Sequence, residues 1–360
     1  MKILHAIYSF NIGGSETMLV DIINQQCKTE AISLLIVNNK FDKNLLETID
    51  KRVNVLLIDR KEGDKIKLLT AFWKINAIVH KICPDVIHCH DNKLFPFFFL
   101  QRKKTYLTVH ATFLSDLFLK YYHKVFAISM AVQQQIKQRT GINAELIYNG
   151  IETTQYRTKT HYNFNPQTDE LKIIQITRLC SKIKGQDIAI QAIARLKEIQ
   201  PDKQFRLTFV GDGESLEELK DLVVENKVED NVVFLGQKSR SWIKENLYKF
   251  DLLIQPSLYE GFGLTIIEGF ACGLSVIVSD LDGPKEIIET LHSGLLVKPN
   301  NPVDLADKIY QVYQAYISNS LKNSNYILKD KNQLKIFDIQ TTAKAYMDNY
   351  DIGLTYYKLN

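Results

Sequence analysis

Short runs of consecutive apolar residues recur along the chain, at 3–8, 32–37, 53–58, 86–89, 106–109, 125–128 and 146–148. Strict polar alternation is missing from them, so each predicts a strand buried on both faces. Between several of them the apolar positions switch to helical spacing, notably over 68–82 and 130–140. After the first run, Gly13-Gly14 breaks the chain and Ser15 starts a helical pattern through Met18, Leu19, Ile22 and Ile23. Strands alternating with helices predict a parallel sheet covered on both sides.

The stretch 158–170 is polar and aperiodic and reads as a linker. Beyond it the alternation restarts, with strands predicted at 171–177, 205–210, 232–235, 252–255 and 275–278 and a helix at 187–200. No short-period repeat of the solenoid kind occurs; the repetition is of two whole α/β domains, 1–165 and 166–339. The segment 340–360 is helical in composition and lacks a strand partner, so it is expected to pack back on the first domain. Two such domains facing each other would place a cleft at the carboxyl ends of both sheets, where open α/β folds bind ligands.

The composition, 360 residues with 45% hydrophobic and 24% charged, suits a globular chain and excludes a disordered or fibrous one. No apolar run reaches the length of a membrane span, and the first residues lack a signal-peptide core and cleavage site, so a cytoplasmic protein is expected. Cys27, Cys83, Cys89, Cys180 and Cys272 are odd in number and form no C-x-x-C pair, as reduced thiols would be. The net charge of +4 is unevenly spread. Residues 1–165 hold 22 Lys and Arg against 14 Asp and Glu, a surplus of eight positive charges; the remainder holds 23 against 27. The basic half is expected to meet something anionic, a phosphate, a pyrophosphate or an acidic membrane surface. Nothing in the charge calls for nucleic acid.

The segment Tyr259-Glu260-Gly261-Phe262-Gly263-Leu264-Thr265-Ile266-Ile267-Glu268 concentrates the candidate chemistry. A helix starting near Gly263 would leave its first-turn N–H groups free for an anion, and the glycines allow a ligand close to the backbone. Glu268, inside that helix, can accept two neighbouring hydroxyls, as in reading a ribose or a sugar. Arg178 follows the first strand of the second domain, and Lys184 opens the next helix beside Gly185. Two cations there can hold a diphosphate. His88-Cys89-His90-Asp91 is rich in ligand atoms, but on a strand His88 and His90 share one face and Cys89 and Asp91 the other, and no second cluster accompanies them. No metal is expected, and no Asp-x-Asp flanked by apolar strand residues is recognised. Gly211-Asp212-Gly213 lacks the full dinucleotide fingerprint and fits a loop of a nucleotide pocket better than an NAD site. The Phe-rich run 94–100 reads as a core helix; joined to the Arg102-Lys103-Lys104 edge it also suits anionic lipid.

G-G-S-E at 13–16, T-V-H-A at 108–111, Y-N-G-I at 148–151, T-R-L at 177–179 with K-G-Q-D at 184–187, V-G-D-G at 210–213 and P-S-L-Y-E-G-F-G-L at 256–264 occur in that order. In this the chain resembles the retaining, nucleotide-sugar-dependent glycosyltransferases of family four (group 1), which have the GT-B fold. The resemblance covers essentially the whole chain. It implies a donor site of Gly13, Gly14, Arg178, Lys184, Gly211, Glu260, Gly261, Phe262, Gly263, Leu264 and Glu268. Within it, Glu260 contacts sugar hydroxyls and Glu268 the nucleotide ribose. His110 is implied to lie near the transferred sugar and to donate from its ring or backbone, and Arg178 and Lys184 to stabilise the leaving diphosphate. His110, Arg178, Lys184 and Glu260 are thus the catalytic candidates, and Asn149 is the acceptor-side candidate. The family usually places the lysine five residues after the arginine; here Lys184 stands at six, K-G-Q-D sets the register, and Lys182 remains its competitor.

The function so implied is same-face transfer of a hexosyl group from a UDP- or GDP-sugar to a glycan or lipid-linked glycan, in cell-surface polysaccharide assembly. It would need no cofactor or metal, and the basic half suits attachment to the inner face of the cytoplasmic membrane. The alternatives are a nucleotide-sugar 2-epimerase of the same fold and a catalytically silent partner in glycan assembly.

Overall fold

The structure, a computed structural model, describes residues 1–11, 13–61, 65–111 and 115–354, with backbone alone for 65–67 and 351–354. It divides into two compact units, 1–152 with 336–360, and 153–335.

In the first unit seven strands form one parallel sheet: β1 (Lys2–Ile7), β2 (Ala31–Asn38), β3 (Asn54–Arg60), β4 (Val86–Cys89), β5 (Thr105–Val109), β6 (Lys124–Ala127) and β7 (Glu145–Leu146). Their order is β3-β2-β1-β4-β5-β6-β7. The chain moves outward from β1 in one direction and then, from β4, in the other, so β1 and β4 flank the point where the order reverses. Turns leaving those two strands are where such a sheet receives ligands. Helix Gly14–Gln26 follows β1, and helix Met130–Thr140 is capped by the Ser129 hydroxyl, which accepts from the Val132 N–H at 3.2 Å.

The second unit repeats the plan with six parallel strands, β8 (Leu171–Ile176), β9 (Phe205–Val210), β10 (Val232–Phe234), β11 (Leu252–Gln255), β12 (Ser275–Ser279) and β13 (Leu295–Val297), in the order β10-β9-β8-β11-β12-β13. Here β8 and β11 flank the reversal. Helices Gln186–Ile199 and Pro302–Ile317 pack into this unit's core through Ile190, Ile193, Leu305, Ile309 and Val312, all buried.

Two features differ from expectation. The division falls after Glu152, not after residue 165, because much of the polar stretch is tied to the second unit. Lys159 pairs with Asp251, the Tyr162 hydroxyl donates to the Gly273 carbonyl at 2.8 Å, and Tyr162 and Phe164 pack on that unit's core. The aromatic run forms 3-10 turns over Asn92–Lys104 rather than one regular helix, since Pro96 lies inside and Phe98 and Gln101 leave helical geometry. Leu94, Phe95, Phe97 and Phe98 are core, whereas Phe99 (59% exposed) and Leu100 (72%) face solvent. At the end of the chain, helix Ile339–Leu354 belongs to the first unit, with Tyr346 and Tyr350 fully buried against Phe126; residues beyond 354 lie outside the described part.

Candidate active site

The second unit gathers its polar residues at the carboxyl ends of β8, β9 and β11. Arg178 follows β8 and faces Glu214 beyond β9, with Nη2 to Oε1 at 2.6 Å and Nε to Oε2 at 3.2 Å. The guanidinium holds the Glu214 carboxyl down at about 2, and Glu214 raises Arg178 in turn. Both side chains are more than half exposed (68% and 55%), so the pair adds little stability and can be exchanged for a ligand. Gly211, on the turn leaving β9, has φ +143°, and a Cβ there would lie 1.9 Å from the Thr177 carbonyl oxygen. Close packing of the β8 and β9 exit turns therefore accounts for that glycine.

Lys184 ends the short helical turn Ser181–Lys184 rather than opening the next helix, which starts at Gln186. Its Nζ lies 2.7 Å from Glu260 Oε2, with side-chain exposures of 21% and 16%. Gln255, the last residue of β11, donates to the same oxygen at 3.3 Å, and Thr265 donates to Gln255 at 3.3 Å. The cation expected at the diphosphate and the carboxylate expected at the sugar are thus brought together at the reversal of the sheet. Lys182 is exposed to solvent. Gly261, Phe262 and Gly263 connect Glu260 to helix Leu264–Ala271, which Gly263 caps, while Phe262 is buried. Glu268, in that helix, is 9% exposed, and its Oε1 accepts from the Tyr156 hydroxyl at 2.7 Å. Tyr156 stands 112 residues away in the chain, and no local pattern announces it.

Contrary to expectation, an Asp-x-Asp does follow an apolar strand, as Asp280-Leu281-Asp282 after β12. Its Asp280 is engaged by Lys285 at 2.8 Å, and Asp282 opens the helix Asp282–Leu291.

In the first unit, Gly13 caps helix Gly14–Gln26 after β1, and Glu16 in the first turn accepts from the Ser15 hydroxyl at 2.7 Å. Space is open around Gly14 among the described residues: apart from its chain neighbours and its own helix backbone, no atom lies within 4 Å of where its Cβ would be. His110 follows β5, and its Nε2 lies 3.1 Å from His90 Nδ1. Burial brings the His110 imidazole down to about 4, so the ring is neutral near pH 7. Asn149 is buried beside Gly150, whose missing Cβ leaves room for Thr342 and the Asp338 backbone of the C-terminal segment. Among the described residues, the grouping of three that could hold a metal is His5, His88 and His90 in this unit.

Two family models match in tandem, Glycosyltransferase Family 4 over residues 12–155 and Glycosyl transferases group 1 over 157–327. The lipopolysaccharide 1,6-galactosyltransferase of Escherichia coli K12 is 26% identical over 80% of this chain and 82% of its own length. An uncharacterized glycosyltransferase of Methanocaldococcus jannaschii is 30% identical over 58% of this chain. The match spans about half of that relative's length (53%) and of a second one from the same organism (49%). The Anabaena protein HepE, solved with UDP and glucose, superposes with a TM-score of 0.80 at 22% identity, covering 98% of this chain and 99% of that one. With two parallel sheets of this order, the motifs at their carboxyl ends and the two models matching side by side, the chain belongs to the family-four glycosyltransferases of GT-B fold.

Proposed function

We propose that the chain is a retaining glycosyltransferase that moves a sugar from a nucleoside-diphosphate donor to a glycan or lipid-linked glycan. The observation that carries this is the Lys184–Glu260 pair, largely buried at the reversal of the second sheet, with Arg178 on the turn that leads to it. Such a site offers cations to a diphosphate and a carboxylate to the hydroxyls of the sugar attached to it. Arg178 exchanges Glu214 for the diphosphate, and Lys184 balances the charge that grows on the leaving group. Glu260 holds the sugar hydroxyls, and Glu268, steadied by Tyr156, faces the ribose. The first unit supplies His110 and the Gly13-Gly14 turn and receives the acceptor. A donor phosphate oxygen takes the proton of the attacking hydroxyl, and the new bond forms on the face the diphosphate leaves.

Thermal melting against a panel of nucleotide sugars tests this. The panel begins with UDP-hexoses, because HepE was solved with UDP and glucose and the Escherichia coli relative is a galactosyltransferase. The true donor raises the melting midpoint, with about 2.7 kcal/mol of stabilisation at roughly one hundred times its Kd. Proton NMR of the transfer product then shows the donor's anomeric configuration retained. Inverted product, epimerisation at C2 of the donor, or no turnover of any nucleotide sugar with glycan and lipid-linked acceptors overturns it.

On the same reading, transfer proceeds without a divalent metal, because side-chain cations and helix N–H groups neutralise the diphosphate, while Lys285 already engages Asp280. Rates in chelator should match untreated rates; activity abolished by chelator and restored by magnesium or manganese contradicts this. The reading also includes attachment to anionic lipid through the first unit. Phe99 and Leu100 are exposed beside Arg102, Lys103 and Lys104, and Leu69 and Trp73 are exposed on helix Lys65–Ile82, whose Asn76 donates to the Phe97 carbonyl at 3.2 Å. No helix among the described residues is long and apolar enough to cross a membrane. Each basic residue at an acidic surface contributes about 1 kcal/mol, which salt screens. Co-sedimentation with phosphatidylglycerol vesicles should weaken with salt and drop when Arg102, Lys103 and Lys104 are neutralised together; no binding at low salt removes the idea.

A further inference from the structure

Four histidines of the first unit meet at one end of its sheet. His5 on β1 stands in register with His88 on β4, and His88 with Tyr106 on β5; His90 and His110 follow β4 and β5. His88 is saturated, with Nε2 2.7 Å from the Thr108 hydroxyl and Nδ1 2.5 Å from the Tyr350 hydroxyl. It therefore has no nitrogen to spare for a metal, although it lies close to His5 and His90. The other three form a line. His5 Nε2 lies 2.8 Å from Gln26 Oε1, His5 Nδ1 lies 3.0 Å from His90 Nε2, and His90 Nδ1 lies 3.1 Å from His110 Nε2. The line ends at His110 Nδ1, which is buried and has no hydrogen-bond partner among the described residues.

Burial lowers all three imidazoles, His5 and His110 to about 4, so each is neutral near pH 7 and has one donor and one acceptor nitrogen. Gln26 Oε1 carries no proton and can only accept. His5 must then hold its proton on Nε2 and accept at Nδ1, which places the His90 proton on Nε2. His90 accepts at Nδ1 in its turn, and the His110 proton sits on Nε2 as well. One amide oxygen thereby sets the tautomer of a ring three links away.

We propose that Gln26, His5 and His90 are positioning residues that lock His110 as its Nε2–H tautomer, so that its Nδ1, unpartnered among the described residues, accepts a hydrogen bond from a substrate hydroxyl. That the hydroxyl belongs to a sugar rests on the function proposed above; the lock does not. The ring of His110 thus acts as an acceptor, the reverse of the donor role that family resemblance implies for it. An acceptor there selects ligands with a hydroxyl at that point and discriminates against the deoxy analogue.

Long-range proton–nitrogen correlation spectra of the full chain labelled with 15N-histidine read the tautomer directly, without donor or activity. His110, assigned from the peaks lost in His110→Gln, should show a protonated Nε2 and a bare Nδ1 at neutral pH. In Gln26→Met the acceptor that orders the line is gone, and His110 should populate both tautomers; Gln26→Glu, which keeps an acceptor oxygen, should restore the single one. In the same variants, kcat should fall about tenfold in Gln26→Met with donor KM little changed, and recover in Gln26→Glu. The Nδ1–H tautomer in the wild-type protein, an unchanged His110 in folded Gln26→Met, or stoichiometric zinc in the purified chain overturns the proposal. The wild-type spectrum decides even where a variant does not fold. Should no nucleotide sugar bind while the tautomer is found as stated, the functional reading fails and the lock stands.

Discussion

Replacing Arg178 by Ala should lower kcat about 100-fold or more while leaving the protein as stable as before. Stability is spared because the Arg178–Glu214 pair is exposed on both sides, and exposed ion pairs contribute little to folding. On the proposed function turnover is not, because an Arg178 interaction with the diphosphate would strengthen as the sugar departs and charge accumulates on the leaving oxygens. Arg178→Lys should recover only part of the rate, since an ammonium keeps the charge but not the planar fork that grips two oxygens. Glu268→Gln should instead raise donor KM, its neighbour Tyr156 being able to keep the side chain in place through the same hydroxyl. Steady-state kinetics on both variants, with circular dichroism to confirm folding, gives the split between kcat and KM. Small and equal effects in well-folded Arg178→Ala and Glu268→Gln would remove these residues from the site.

The strands are legible in the sequence because a parallel sheet covered on both faces needs apolar residues at consecutive positions. The runs at 3–8, 86–89, 205–210 and 252–255 each correspond to one strand, within a residue or two at the ends. Strand β13, the three residues Leu295–Val297 between Gly294 and Lys298, has no counterpart among the strands predicted from the sequence. The segment carrying Lys159, Tyr162 and Phe164 also escapes. Single anchors spaced irregularly fasten it to the second unit, and the partners of Lys159 and Tyr162, Asp251 and Gly273, stand 92 and 111 residues away. Proline and the burial of most, but not all, of the aromatic rings turn the Phe-rich run into 3-10 turns.

For the site, the turns after β1, β5, β8, β9 and β11 are visible in sequence as glycines and charges that follow apolar runs. Which atoms meet is not. Glu214 joins Arg178 across 36 residues, Tyr156 joins Glu268 across 112, and the histidine line links positions 21, 85 and 20 apart. Strand periodicity places His88 and His90 on one face, and their rings do lie 4.5 Å apart, but the third and fourth rings come from β1 and the turn after β5. Side chains from neighbouring strands converge through the register of the sheet, which no stretch of local sequence encodes.

The choice between Lys182 and Lys184 turns on the same kind of nonlocal contact, and it yields the second large effect. Lys184 is held in place from several directions. Its carbonyl accepts from Gln175 Nε2 at 2.8 Å, the Ile183 carbonyl accepts from the Leu258 and Tyr259 N–H groups at 2.8 and 3.2 Å, and its ammonium meets Glu260 at 2.7 Å. Gly185 completes the corner at φ +65°, where a Cβ would stand 2.1 Å from the Pro256 carbonyl oxygen. The lysine six residues after Arg178 is therefore clamped against the turn that leaves β11, whereas the one at four is exposed to solvent. Lys184→Met should lower kcat/KM for the donor about 100-fold, and Lys182→Met should stay within about threefold of wild type. Combining Lys184→Met with Glu260→Gln should cost less than the product of the single losses, because each change already removes the shared ion pair. Gly185→Ala should lower the melting midpoint and the activity together, since the corner can accept a methyl group only by moving the lysine. If Lys182→Met proves the more damaging substitution in folded protein, the cation facing the diphosphate is Lys182, and the Lys184–Glu260 contact is a structural pair beside the site rather than part of it.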